Sequence, residues 1–85
     1  MENDRFKVLI SGDPDYSDLV AEVDYEGEFL CLISQDTGFD NLKIEISPRI
    51  DGGSWHIDLK DLLDVLEHVK SKLWSLRKIE DQPSL

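Results

Sequence analysis

Hydrophobic and polar residues alternate along four stretches of this chain, and the period then changes. Arg5-Phe6-Lys7-Val8-Leu9-Ile10-Ser11 alternates and is rich in β-formers, which predicts a first strand with Phe6, Val8 and Ile10 pointing inward. Gly12-Asp13-Pro14-Asp15 is a turn cluster, and Pro14 ends the strand there. From Asp18 to Gln35 the pattern predicts a hairpin turning at Glu26-Gly27, where Gly27 supplies the positive φ of a tight turn. Leu19, Ala21, Val23 and Tyr25 fall on one face of it, and Val20, Glu22 and Asp24 on the other. On the return strand, Phe29, Cys31 and Ile33 are assigned to the first face. Gln35 to Asp40 is a second polar turn, containing Gly38. Asn41 to Ser47 predicts a further strand with Leu42, Ile44 and Ile46 inward and Lys43 and Glu45 outward, and Pro48 stops it. After the flexible turn Asp51-Gly52-Gly53, Ser54-Trp55-His56-Ile57 is either a short fifth strand or an extended lead-in.

At Asp58 the apolar spacing switches to threes and fours. Leu59, Leu62, Leu66, Val69, Leu73 and Leu76 form a stripe, widened by Leu63, as in an amphipathic helix lying on a sheet. Asp58 is the expected N-cap, and Asp61 lies where a capping-box acid would sit. Lys70, Lys72, Arg77 and Lys78 gather towards the C-terminal end, where cations suit the helix dipole. Residues 81–85 are expected to fray, leaving 1–80 as a single α+β domain. The predicted architecture is a four- to five-stranded antiparallel meander with one C-terminal α-helix packed on one face.

One helix leaves the other face of the sheet open. That face is expected to show Leu9, Val20, Leu30 and Leu32 beside Lys7, Glu22, Asp24, Lys43 and Glu45. An apolar centre in a mainly acidic surround suits a protein partner, a twin subunit or cover by the chain itself.

Composition narrows the class. The chain has 85 residues, room for one core, and its 40% hydrophobic and 33% charged content is that of a folded protein. No apolar run approaches the ~20 residues of a membrane span. A polar, acidic start, Met1-Glu2-Asn3-Asp4-Arg5, argues against a secretory signal. A single cysteine, Cys31, cannot form an internal disulfide and fits a reducing compartment, so the expected location is cytoplasmic. The net charge is −10, and residues 1–58 hold 14 acidic against 4 basic residues, while 59–85 hold 5 of each. Such a field keeps a small protein soluble; it also repels nucleic acid and anionic membrane and steers basic partners inward.

Candidate chemistry is sparse. His56, Asp58, His68 and Cys31 show no metal-ligand spacing, so no metal or other cofactor is expected. Cys31 alternates with inward residues and is expected in the core, while His68 is expected on the exposed helix surface near Asp64. Trp55 and Trp74 are both expected to be packed rather than to anchor a partner. No phosphate loop, dinucleotide glycine pattern or nucleophile elbow is present, and a one-helix domain leaves little room for a paired-carboxylate cleft. The expectation is a binding protein, not an enzyme. Its acids cluster in turns: Asp13, Asp15 and Asp18 in one, Asp36 and Asp40 in another, Glu26 and Glu28 in a third.

The pattern resembles a family of small bacterial immunity proteins that protect cells from the toxin domains of contact-dependent growth inhibition and polymorphic toxin systems. The resemblance is carried by Ser11-Gly12-Asp13-Pro14-Asp15-Tyr16-Ser17-Asp18-Leu19-Val20-Ala21-Glu22-Val23, Tyr25-Glu26-Gly27-Glu28-Phe29, Ile33-Ser34-Gln35-Asp36 and Asp40-Asn41-Leu42-Lys43-Ile44-Glu45-Ile46. Ile57-Asp58-Leu59-Lys60-Asp61-Leu62-Leu63-Asp64-Val65-Leu66 is similar to the family's closing helix. These are strand and turn patterns covering most of the chain. The resemblance implies a cytoplasmic, non-enzymatic protein that binds one cognate toxin, and a basic nuclease domain would suit the charge. On that reading the candidate binding residues are Glu22 and Asp24 on the open face, with Asp13, Asp15, Asp36 and Asp40 in the loops. The rival expectations are a homo-oligomeric structural or regulatory module whose open face pairs with itself, and a small-molecule or metal-binding domain.

Overall fold

A computed structural model of the chain describes residues 4–81, with side chains placed through Leu76. Four strands, β1 (Phe6–Ser11), β2 (Val20–Tyr25), β3 (Glu28–Ser34) and β4 (Lys43–Ile46), form one antiparallel sheet in sequential order. Helix α1 (Leu59–Asp81) follows and lies over β1 and β2. This is the expected α+β meander with one helix on one face. Ser54–Ile57 is the extended lead-in, not a strand. The helix includes Asp81, which the polar tail composition placed in a frayed end; the rest of that tail, 82–85, lies outside the described residues.

Local chemistry explains each turn. Tyr25 pairs with Glu28, and the intervening Glu26 and Gly27 have φ of 50° and 83°. Two left-handed residues in a row give the type I′ geometry whose twist matches the flanking strands. Between β1 and β2, the Asp13 carboxylate accepts from Asp15 N–H (2.8 Å) while the Asp13 carbonyl accepts from Tyr16 N–H (2.9 Å), with Pro14 setting the first corner. At the helix start, Lys60 N–H donates to the Asp58 carboxylate (3.1 Å) and Leu62 N–H to the Asp58 carbonyl (3.0 Å), which makes Asp58 the N-cap.

The hairpin contains a β-bulge that alternation alone does not show. Val23 pairs with Cys31, but Asp24 pairs with Phe29, so Leu30 is an extra residue in β3. The slip moves every residue before it to the opposite face. Leu30 is therefore buried in the core, and Phe29 is 39% exposed on the open face; the assignments of Phe29 inward and Leu30 outward are both reversed. The insertion lets Leu30 and Cys31 face inward in succession.

The core joins Phe6, Ala21, Val23, Tyr25, Leu30, Cys31 and Ile33 of the sheet to Val65, Val69 and Leu73 of the helix, all three of which are fully buried. Complete burial of such side chains contributes ~1.5–3 kcal/mol each. The stripe is centred on Val65, Val69 and Leu73. Leu59 and Leu63, expected in it, are 66% and 53% exposed, because they lie at the helix start and on its far flank. β4 also departs from expectation. Ile44 and Ile46 point to the helix side, opposite Ile33 and Cys31, yet are 47% and 59% exposed. The helix lies over β1 and β2, so Trp55, Ile57 and Leu62 flank these isoleucines without covering them.

Candidate functional site

The open face is built by the strand register. One row across it runs Leu9, Glu22, Leu32 and Glu45; the next runs Lys7, Asp24 and Phe29. Glu22 and Asp24 are half-buried, and the Ser11 hydroxyl donates to Glu22 Oε2 at 3.3 Å. Lys7, Leu9, Glu22, Asp24 and Phe29 line a shallow depression of about 210 Å³. Two carboxylates thus stand in the middle of a sheet face, with Lys7 across from Asp24 and Leu9, Phe29 and Leu32 around them. Partial burial of this kind lowers the local dielectric and strengthens attraction to an incoming cation.

The end of this face nearest the β1–β2 loop is covered by the chain itself. Val20, expected to be open, is completely buried there and lies outside the core cluster under the helix. Ser34 and Gln35 are also buried, and the Gln35 side-chain amide donates to the Leu19 carbonyl at 2.9 Å. The Asp36 carboxylate holds the cover in place. It accepts Ser17 N–H through both oxygens (3.1 and 2.9 Å) and Asp18 N–H through Oδ1 (2.9 Å). Tyr16 belongs to the same corner. Its phenol is pushed above the usual range by burial and then by the negative charges of Glu45, Asp13, Asp15 and Asp36.

The candidate carboxylates therefore divide by position. Glu22 and Asp24 stand together on the open face. Asp13 and Asp36 spend their oxygens on backbone amides of the loops, and Asp15 is exposed beside them. Asp40 lies elsewhere: with Phe39, Glu67, Lys70, Ser71 and Trp74 it lines a concavity of about 320 Å³ against the helix. In that concavity Trp74, expected to be packed, is 47% exposed and keeps one side against the Phe39 ring at 4.9 Å. Trp55 is half-buried. Its indole N–H donates to the Ser47 carbonyl (2.7 Å), its ring stands edge-on to Tyr25, and Arg49 lies over it at 5.3 Å. Glu28 completes that corner by accepting from Ile50 N–H (2.7 Å) and Arg49 (3.3 Å), so this turn acid also braces the fold.

Phe29 and Tyr16 were not singled out from the sequence. Only the bulge places Phe29 outside, and only the loop fold brings Tyr16 to Glu45. Cys31 is fully buried, and burial pushes its thiol up to about 11. His68 is half-buried rather than exposed; burial, and then Lys72, lower its pKa. Among the described residues no group of three or more His, Cys, Asp or Glu side chains is placed to hold a metal ion. No helix there is long and apolar enough to cross a membrane. Comparison with family models, with curated proteins and with solved structures gave no match.

Proposed function

We propose that this chain is an immunity protein that binds a cognate bacterial toxin domain, a basic nuclease, and blocks its active site. The observation that carries the reading is the pair of half-buried carboxylates, Glu22 and Asp24, set among Leu9, Phe29 and Leu32 on the uncovered sheet face of a chain with net charge −10. The sequence resemblance points the same way. A nuclease holds cationic groups where the phosphates of its substrate lie. Carboxylates on a rigid sheet can occupy those positions, while Phe29 and its apolar neighbours exclude water around them. Net negative charge speeds the encounter at low salt. Asp13 and Asp36 hold the loops beside the docking face. Asp15, exposed beside them, adds to the field.

The test is to read the reading frames adjoining this one for a basic toxin domain and to measure binding to that purified domain by calorimetry at low and high salt; adjoining frames without such a domain count against the partner. Wild-type protein inhibits cleavage stoichiometrically, with affinity falling as salt rises. The double variant E22K/D24K binds at least ~100-fold more weakly, the scale seen when charge pairs at such interfaces are lost. Unaltered binding by E22K/D24K overturns the acidic-face mechanism, and no binding by the wild type overturns the partner.

A further inference from the structure

The geometry points to a second surface: the outer edge of β4 is built to pair with β4 of a second copy of this chain, about a twofold axis through Ile44. This does not rest on the toxin reading.

Sheet order makes β4 an edge strand, bonded to β3 on one side only. The direction of its backbone groups follows from the ladder. Ser47 N–H donates to the Leu30 carbonyl at 2.8 Å, which puts Glu45 opposite Leu32, and Lys43 opposite Ser34, at hydrogen-bonded positions. The N–H and C=O groups of Ile44 and Ile46 therefore point away from the sheet, and those of Leu42, which is extended at φ −57° and ψ 138°, continue the series. The side chains of Ile44 and Ile46 stay largely exposed. With Leu30, Cys31, Trp55 and Leu62 they line an apolar groove of about 190 Å³ on the helix side. The helix lies over β1 and β2 and reaches this groove through Leu62, which leaves about half of each isoleucine uncovered.

Charge selects the occupant and the register. A twofold centred on Ile44 sets Lys43 opposite the second copy's Glu45, twice over, in non-hydrogen-bonded pairs where side chains approach most closely. The same centre sets Ile44 against itself and Leu42 against Ile46, the residues whose backbone groups point outward. The neighbouring registers fail. Centring on Glu45 opposes like charges and places Leu42 across from Pro48, which has no N–H to give. Centring on Lys43 opposes two lysines. Residues 42–46, Leu-Lys-Ile-Glu-Ile, are thus complementary to themselves in one antiparallel register. The product is a continuous eight-stranded sheet in which each groove gains the other copy's isoleucines. Pairing one short edge strand is a small interface, so the association is expected to be weak and concentration-dependent.

The experiment is light scattering after size exclusion, from about 1 to 500 µM, on the full chain alone. The wild-type mass is expected to rise from 9.8 kDa towards twice that value. K43E and E45K are each expected to weaken self-association at least about tenfold, by setting like charges opposite one another. The doubly swapped K43E/E45K restores it, and an equimolar mixture of the two single variants forms a heterodimer, since each carries the charge the other needs. Both substituted positions are exposed, and unchanged melting midpoints report intact folding. A wild type that stays monomeric to 500 µM overturns the proposal. So does a dimer indifferent to K43E and E45K, or a mixture that does not pair.

Discussion

Asp36 is the residue whose removal most directly tests how the open face is held. Its carboxylate makes three contacts of 2.9–3.1 Å with the backbone amides of Ser17 and Asp18, tying the β3–β4 turn to the β1–β2 loop. Asp36→Ala removes two charge-assisted donors' partner at once. A hydrogen bond to a charged group contributes ~1.5–3 kcal/mol, but this site is exposed and water can replace the lost acceptor. The scale of an ordinary hydrogen bond is therefore appropriate, about 1 kcal/mol per amide and about 2 kcal/mol in total. For a domain of this size, 1 kcal/mol moves the midpoint by ~4–8 °C, so Asp36→Ala should melt about 10 °C lower. Asp36→Asn keeps one acceptor oxygen and should lose about half as much. Urea unfolding followed by tryptophan fluorescence measures both variants. Val20 and Gln35, buried beneath this corner, should become more accessible in the alanine variant, with faster amide exchange there than in β1. A loss below about 0.5 kcal/mol, within the range of ordinary surface substitutions, would refute the idea that Asp36 is a brace.

Three other outcomes follow from the same structure. Leu73→Ala should cost ~2–5 kcal/mol and Leu63→Ala within about 0.5 kcal/mol, as measured by denaturant midpoints; equal losses would mean the helix is rotated from the phase described here. Glu26→Asn should stabilise the hairpin by a few tenths to about 1 kcal/mol, since asparagine tolerates φ of 50° better than glutamate, and a lower melting midpoint would contradict the turn geometry. Cys31 should resist alkylation in the folded protein at pH 8. Its folded pKa, raised from 9.0 to about 11, means the folded state holds its proton more tightly. Its contribution is therefore intact below pH 9 and lost as pH rises from 9 through 11, and a thiol that reacts at the rate of a free peptide would contradict its burial.

The fold was legible where one local signal acted alone. Alternation placed β1 and β2, Gly27 placed the turn, and Asp58 placed the helix start. The errors arose where two elements compete. Phe29 and Leu30 exchanged faces because a bulge inserts a residue without altering the alternation on either side. Leu59 and Leu63 fit a helical stripe as well as Val65 does; only the sheet they pack on decides which flank is covered. Ile44 and Ile46 are apolar and point inward, yet remain exposed because the helix lies over β1 and β2. In the candidate site, Glu22 and Asp24 followed from parity alone. The loop acids did not, because composition cannot tell a solvated carboxylate from one, like Asp36, bonded to distant amides.

The central claim is that Glu22 and Asp24, on the uncovered sheet face, neutralise a basic toxin. The most direct measurement is survival of cells expressing the proposed cognate toxin domain, together with either wild-type protein or E22K/D24K at matched abundance and melting midpoint. The account predicts that the wild type protects and the doubly reversed variant does not. Full protection by E22K/D24K would contradict it.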